Sequence, residues 1–161
     1  MARTIANVLI GYGTLSIAYP AGGSLVDVGY TKDGVNLEYD ESHYDVMVEE
    51  TTLPINRALT KESVKFSANL SEASLVNINN AMAGAVLAGS TITVGAGAFK
   101  LMKAQFVGTD PAGNARTITI YLCTATGNVK GTFKKEGELF IPITLEVLKP
   151  AAGNAFDIVD S

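Results

Sequence analysis

Alternation of apolar and polar residues recurs along the chain, and it predicts a mainly β fold. The clearest example is residues 62–70, in which Val64, Phe66, Ala68 and Leu70 alternate with polar neighbours. Alternation places the apolar side chains on one face of a strand, so we predict a half-buried strand here. Similar patterns predict strands at residues 91–94, 99–107, 117–124, 129–134 and 139–148.

Residues 35–48 contain two alternating runs that are separated by the polar residues 41–43. The first run has its apolar side chains at odd positions and the second run has them at even positions. An interruption of this kind is typical of a turn, so we predict a hairpin with its tip at residues 41–43. One face of this hairpin is polar and mostly acidic, and its residues are Asn36, Glu38, Asp40, Asp45 and Glu49.

One segment has the spacing of a helix, and we predict a single helix at residues 71–83. Ser71 is suited to cap its N-terminus, Glu72 lies at the positive end of the helix dipole, and Gly84 can end the helix. A helix with one apolar stripe packs on a sheet, so we expect its apolar side chains to join the chain's own core. These side chains are Leu75, Ile78 and Met82.

The two ends of the chain receive different predictions. Residues 4–19 carry no charge and are rich in apolar and β-branched residues, so we predict an N-terminal strand segment over residues 1–19. Residues 150–161 are predicted to form a peripheral C-terminal tail. No repeat and no linker divides residues 1–161, which we predict to be one domain, a β-sandwich or barrel with one flanking helix.

Composition suggests that part of the surface is buried against other chains. Hydrophobic residues make up 47% of the chain and charged residues 17%, and the mean hydropathy is +0.24. Charges normally cover a solvated surface, so this composition favours self-assembly over its alternative, a monomeric sandwich. We expect no signal peptide and no membrane span, because no long apolar run is present. Cys123 is the only cysteine, which excludes an intramolecular disulfide.

Charge is unevenly distributed along the chain. The net charge is −4, but residues 27–50 contain eight acidic residues and one lysine, so this segment carries −7 and the rest +3. Such asymmetry within a small domain is typical of an interaction surface. The negative balance argues against tight nucleic-acid binding through phosphate neutralisation.

Candidate chemical motifs are weak. The glycine-containing segments at residues 11–16 and 95–99 lack the remaining features of nucleotide-binding loops. Oxygen ligands and an imidazole occur together at residues 40–45, but their spacing matches no metal-binding loop, and a solvated hairpin tip is the better interpretation. His43 is the only histidine and lies at the predicted turn, a poor place to hold a general base. We therefore expect no enzyme activity, no cofactor and no metal.

The order of features resembles the tail tube (major tail) proteins of tailed bacteriophages, particularly those of long-tailed phages. An uncharged N-terminal strand leads to GYTKDGVNLEY at residues 29–39, and LPINR at 53–57 precedes the strand that runs into NLSEASLVNINNA at 69–81. RTITIY at 116–121 and FIPITLEV at 140–147 follow. The resemblance covers residues 4–148. The short predicted turn at residues 41–44 departs from it, because some members carry a longer loop there that contacts the next ring.

This resemblance implies a structural function. Tail tube subunits have a β-sandwich with a flanking helix and form hexameric rings that stack into a hollow tube, in which each subunit adds four strands to a continuous barrel. The implied partners are other copies, a tape-measure protein, a tail terminator, tail-tip or baseplate proteins, and double-stranded DNA that passes without specific binding. The implied location is the virion tail, assembled in the bacterial cytoplasm. The alternative is a tail terminator or secretion-tube protein on a related fold.

Two hypotheses concern the acidic face. A barrel of 24 strands, four from each of six subunits, is roughly 50 Å across its backbone. An acidic lumen would repel the duplex. We therefore expect Asn36, Glu38, Asp40, Asp45 and Glu49 to face the lumen. The rival is that these residues meet basic residues of the next copy, and the candidates are Arg57, Lys61, Lys65 and Lys103. A carbohydrate-binding sandwich is a weaker alternative, because it needs exposed aromatics and the chain has no Trp.

Overall fold

The computed structural model describes residues 13–95, 97–109, 113–126, 129–130 and 139–161. The fold is mainly β with one short helix, as the alternation predicts. The helix is α1 (Leu75–Ala81). The strands are β1 (Gly13–Ala18), β2 (Val26–Asp27), β3 (Thr31–Val46), β4 (Asn56–Leu70), β5 (Ala85–Ala88), β6 (Thr91–Val94), β7 (Met102–Thr109), β8 (Ala115–Ala125), β9 (Ile141–Val147) and β10 (Phe156–Asp160).

Eight of the strands form one antiparallel sheet. Seven follow the order β2-β1-β7-β8-β9-β4-β3, and β10 pairs with β8. Strand β8 is shared along its length, because residues 116–120 pair with β10 and residues 123–125 pair with β9. The remaining strands, β5 and β6, form a separate two-stranded hairpin next to α1.

The core lies on one face of the large sheet. Val64, Phe66, Ala68 and Leu70 are all buried, which confirms the half-buried strand predicted for residues 62–70. The Phe66 ring packs at a tilt against Phe106, with 6.2 Å between the ring centroids. The other fully buried large side chains come from several strands, and they are Leu15, Met102, Ile120, Ile143 and Leu145.

The strand predictions are confirmed for residues 91–94 and 117–124, which lie in β6 and β8. Strands β7 and β9 each begin two or three residues later than predicted. Residues 129–130 are not in a strand, and residues 131–134 lie outside the described residues. Strands β2 and β5 were not predicted, because one is only two residues long and the other lacks alternation.

The predicted hairpin tip at residues 41–43 is wrong. Strand β3 continues through these residues, and its antiparallel partner along its whole length is β4. The connection between β3 and β4 lies instead at residues 47–55. The phase of alternation changes at residues 41–43 because both faces of the strand are exposed there, and no core selects one phase.

The prediction of a peripheral C-terminal loop is also wrong, because residues 156–160 form β10. Two side-chain contacts fix this strand to β8. The Arg116 guanidinium donates to both carboxylate oxygens of Asp160 at 2.5 and 2.7 Å, and the Tyr121 hydroxyl donates to Asp157 at 2.8 Å. At the other end, β1 begins at Gly13, and residues 1–12 lie outside the described residues.

The helix is shorter than predicted and turns a different face to the core. Ser74, not Ser71, caps its N-terminus and accepts a hydrogen bond from the Asn77 backbone N–H at 3.1 Å. Leu75 is 42% exposed, so its predicted place in the core is wrong, whereas Ile78 packs against the core. Met82 is half-buried at the C-cap. Within the described residues, no helix is long and apolar enough to cross a membrane.

The reason for this correction is an asparagine-rich buried face. Asn77 is 4% exposed, and its side-chain amide donates to the carbonyl oxygens of Val28 at 2.8 Å and Glu72 at 2.9 Å. These hydrogen bonds compensate for burying the amide. The helix therefore turns Asn77 towards the core and leaves Leu75, which apolar spacing alone places in the core, exposed.

Candidate assembly surface

Strands β3 and β4 extend beyond the rest of the sheet as a two-stranded ribbon. Strand β9 pairs with β4 only at residues 65–70, so among the described strands residues 56–64 pair with β3 alone. We call residues 39–64 the arm: two strands and the loop 47–55 that joins them. Eight residues of β3 at ~3.3 Å each give the arm a length of roughly 26 Å.

The end of the arm exposes apolar side chains. Leu53 in the loop is 73% exposed and Ile55 is 59% exposed. Isolated two-stranded ribbons are marginally stable, and clustered exposed apolar residues are typical of interaction sites. The exposed apolar residues of the arm are Tyr39, Tyr44, Met47, Leu53, Ile55 and Leu59. The arm is therefore the strongest candidate for a surface that another chain covers.

One face of the arm continues the core face of the sheet as a polar network. The Tyr39 hydroxyl donates to the Glu41 carboxylate at 3.0 Å and to the Glu62 carboxylate at 2.9 Å. Hydrogen bonding to the carboxylates, Glu62 first, raises the pKa of Tyr39 to about 12. His43 Nε2 lies 2.9 Å from Glu41 Oε1, and this hydrogen bond lowers the pKa of Glu41.

A bidentate ion pair fixes the end of the same face. The Arg57 guanidinium donates to the two carboxylate oxygens of Asp45 at 2.6 and 3.0 Å and lowers the pKa of Asp45. A β-bulge at Thr60 makes this pairing possible, because the register passes from Ser42 opposite Lys61 to the next pair without using Thr60. Arg57 thereby stays on the same face as the Tyr39 network.

The opposite face of the arm carries both signs of charge. Glu38 lies directly opposite Lys65 in the ladder, and Ser42 lies opposite Lys61. Asp40 lies opposite Ser63, between these two lysines. Residues opposite each other in an antiparallel pair share a face, so an acidic row on β3 runs beside a basic row on β4.

The prediction that the five residues of the acidic face share one surface is therefore wrong. Asn36, Glu38 and Asp40 share one face of β3, but Asp45 lies on the other face because the strand continues without a turn. Glu49 lies in the loop.

The four basic residues predicted to meet the next copy do not lie together. Lys61 and Lys65 share a face with Glu38, whereas Arg57 points to the other face and already pairs with Asp45. Lys103 lies on β7, where its ammonium is 5.6 Å from the centroid of the Tyr121 ring. In the rival hypothesis, in which acidic residues of one copy contact basic residues of the next, Arg57 is a poor candidate because it already pairs with Asp45 of its own chain.

The metal and thiol candidates have clear positions. Asp40 points away from the face that carries Glu41, His43 and Asp45, and among the described residues no three potential ligands cluster closely enough to hold a metal ion. Cys123 is fully buried, and desolvation raises its pKa to about 12. Burial of this kind is typical of a structural cysteine.

Sequence reasoning missed a second surface, formed by α1 and the β5–β6 hairpin. Residues 73–99 contain no charged residue, and we call this segment the uncharged surface. Exposed apolar side chains include Val94 at 70% and Phe99 at 75%. The absence of charge over this segment was the available signal, because a solvated surface of this length normally carries several charges.

Comparison with known proteins adds no family to these observations. No protein-family model matches the chain, and no curated protein is significantly similar to it. The described residues form a mainly β protein with an exposed ribbon, and among them no strand other than β4 pairs with β3.

Proposed function

We propose that this chain is the structural subunit of a phage-type tail tube, in which six copies form a ring and rings stack around a lumen. The observation that carries the proposal is the arm, a ribbon roughly 26 Å long whose end exposes Leu53 and Ile55. A ribbon that no other described part of the chain covers is stabilised when other copies bury it.

The open edge of β3 supports lateral assembly. Strand β3 has 16 residues and pairs only with β4 in the described part of the chain. Long unpaired edges recruit further strands, and a closed ring of strands removes every edge. In a ring of copies, the sheet of one subunit continues into the next, as the resemblance to tail tube proteins implies.

The loop of the arm supports stacking. Some tail tube proteins use a long loop at this place to contact the next ring, and residues 47–55 provide a loop at the end of an extended ribbon. Its exposed apolar residues are suited to a contact buried between rings.

The lumen in this proposal is lined by adjacent rows of opposite charge. The row of β3 that contains Glu38 and Asp40 runs beside Lys65 and Lys61 of the same chain. Neutralisation within the subunit leaves few free cations to displace counterions from DNA, so the duplex passes without tight binding. This replaces the simpler hypothesis of an acidic wall.

The test is electron microscopy of the purified chain with a paired variant. Negative-stain images of the wild-type protein are expected to show tubes. The variant Leu53→Asp/Ile55→Asp should leave the circular dichroism spectrum unchanged but yield isolated rings or monomers, because two charges would be buried at the ring contact. The matched control, Leu53→Met/Ile55→Val, keeps the apolar surface and should still form tubes.

Three results would count against this function. A wild-type chain that stays monomeric at high concentration would exclude a self-assembling subunit. Tubes of normal length from the double aspartate variant would show that the arm does not stack rings. Wild-type rings that never stack would favour the alternative of a tail terminator.

A further inference from the structure

A cavity of about 270 Å³ lies between α1, the ends of β1 and β2, and strand β5. Most of its wall is apolar, and the apolar residues are Ile17, Val26, Val76, Ala85, Val86 and Leu87. Three charged or amide side chains among its lining residues, Lys100, Asn79 and Asn80, are more than nine-tenths buried. A mainly apolar cavity with a few convergent polar groups is typical of a small-molecule site.

Lys100 places a positive charge at this cavity without a counter-charge. The residue is 2% exposed, and its ammonium donates to the Asn79 carbonyl, to Asn79 Oδ1 at 2.6 Å and to the Met82 carbonyl at 3.1 Å. All three acceptors are neutral, and no carboxylate among the described residues forms an ion pair with Lys100. Burial lowers the pKa of Lys100, as expected for a cation held away from water without an anion.

Asn80 supplies a second polar group at the cavity, and its side chain has no hydrogen-bond partner among the described residues. It lines the cavity and is 6% exposed, but its side-chain amide makes no hydrogen bond to another described residue. The neighbouring asparagines of α1 differ, because Asn77 and Asn79 both use their amides within the protein. Because no described residue hydrogen-bonds to this amide and its atoms are accessible from the cavity, a ligand there can form that hydrogen bond.

We propose that this cavity binds a small apolar carboxylate, with its carboxylate at the Asn80 amide and the Lys100 ammonium and its hydrocarbon tail against Val76, Val86 and Leu87. A carboxylate accepts a hydrogen bond from the Asn80 amide and places a negative charge beside the Lys100 ammonium, whose three N–H groups already donate to protein oxygens. A neutral or cationic ligand cannot supply that charge. The volume equals roughly nine water molecules, which suits a ligand of about ten non-hydrogen atoms, such as octanoate.

The test is a calorimetric titration of the full chain with octanoate, with octanol and octylammonium as matched ligands of the same chain length. Octanoate is expected to bind about tenfold or more tightly than either, because only octanoate places a negative charge next to the Lys100 ammonium. Equal binding of octanol would overturn the proposal, since it would show an apolar cavity that does not recognise the carboxylate. Absence of octanoate binding would overturn it directly.

The variant Asn80→Leu separates recognition from folding. It removes an amide that makes no hydrogen bond, so the melting temperature should stay the same or rise, while octanoate affinity should fall about tenfold. Val76→Trp should fill the cavity and abolish binding, whereas Val94→Trp adds the same side chain at an exposed site that does not line the cavity. Unchanged octanoate affinity in Asn80→Leu or in Val76→Trp would contradict the site. These outcomes do not depend on whether the chain forms tubes.

Discussion

The two halves of the β3–β4 ladder have the same backbone pairing but different surroundings. In the sheet half, β4 lies between β3 and β9, and Phe66, Ala68 and Leu70 are buried. In the arm, β4 has β3 as its only strand neighbour among the described residues, and every residue from 56 to 62 is exposed. Backbone pairing alone therefore does not determine which half of a strand is buried.

The difference shows what alternation can specify. Where a third strand and a covering layer are present, one face is selected by the burial of apolar area, at about 25 cal/mol per Å². On the arm, residues 56–62 are exposed and no other described segment pairs with them besides β3, and tyrosine, carboxylates and arginine form a polar network on the face that continues the core. The sheet half is stabilised within the monomer, and the arm remains available for assembly.

The largest expected effect comes from truncating the sheet half. Phe66→Ala removes a fully buried ring that contacts Phe106, and it should lower the free energy of unfolding by about 3–5 kcal/mol. Leu59→Ala, at a half-exposed position on the same strand, should lower it by less than about 1 kcal/mol. Denaturation by urea measures both. Similar losses in the two variants would remove the distinction between the halves.

The sequence predicted the sheet half better than the arm. Alternation at residues 62–70 correctly identified the buried face of β4, because burial selects apolar residues at every second position. The same rule failed at residues 41–43, where a change of phase on an exposed ribbon resembled a turn. Alternation gives no signal for the β-bulge at Thr60, because a bulge is set by how β4 pairs with β3.

The surfaces were less predictable because they depend on long-range contacts. The pairing of Asp45 with Arg57 and of Glu38 with Lys65 joins residues 12 and 27 positions apart, and only the register of β3 on β4 brings them together. The asparagine-rich face of α1 departs from apolar spacing for the same reason, because its hydrogen-bond acceptors lie elsewhere in the chain. A resemblance to tail tube proteins suggested assembly but did not identify these contacts.

At high pH, ionisation of Tyr39 should disrupt the polar network and destabilise the arm before the sheet. The pKa of Tyr39 is raised to about 12 from an ordinary value of 10, so its contribution to stability is present below pH 10 and is lost between pH 10 and 12. Absorbance of tyrosinate should show a titration step near pH 12 that disappears in Tyr39→Phe. The control Tyr44→Phe removes another exposed tyrosine of the arm and should retain that step.

At low pH the ion pair at the end of the arm should be the next contact affected. Arg57 lowers the pKa of Asp45, so the stabilisation is present above the ordinary Asp value and is lost as the pH falls through the lowered one. Carboxyl signals followed by nuclear magnetic resonance should show the Asp45 pKa rising in Arg57→Gln. Lys61→Gln, a charge removal on the opposite face, should leave it unchanged. An unaltered Asp45 titration in Arg57→Gln would show that the ion pair does not form in solution.

The smallest expected effect concerns the mixed charges on the other face of the ladder. Glu38→Lys and Lys65→Glu each place like charges directly opposite one another, and each should destabilise the chain by ~0.2–1 kcal/mol. The double reversal restores an opposite pair in the same positions, so its stability should return close to that of the wild type. Thermal unfolding of the four proteins at low and high salt gives the coupling free energy, which should decrease as salt screens the charges. If the double variant were as unstable as the sum of the single variants, Glu38 and Lys65 would not neutralise each other, and a lumen with paired charges would lose its physical basis.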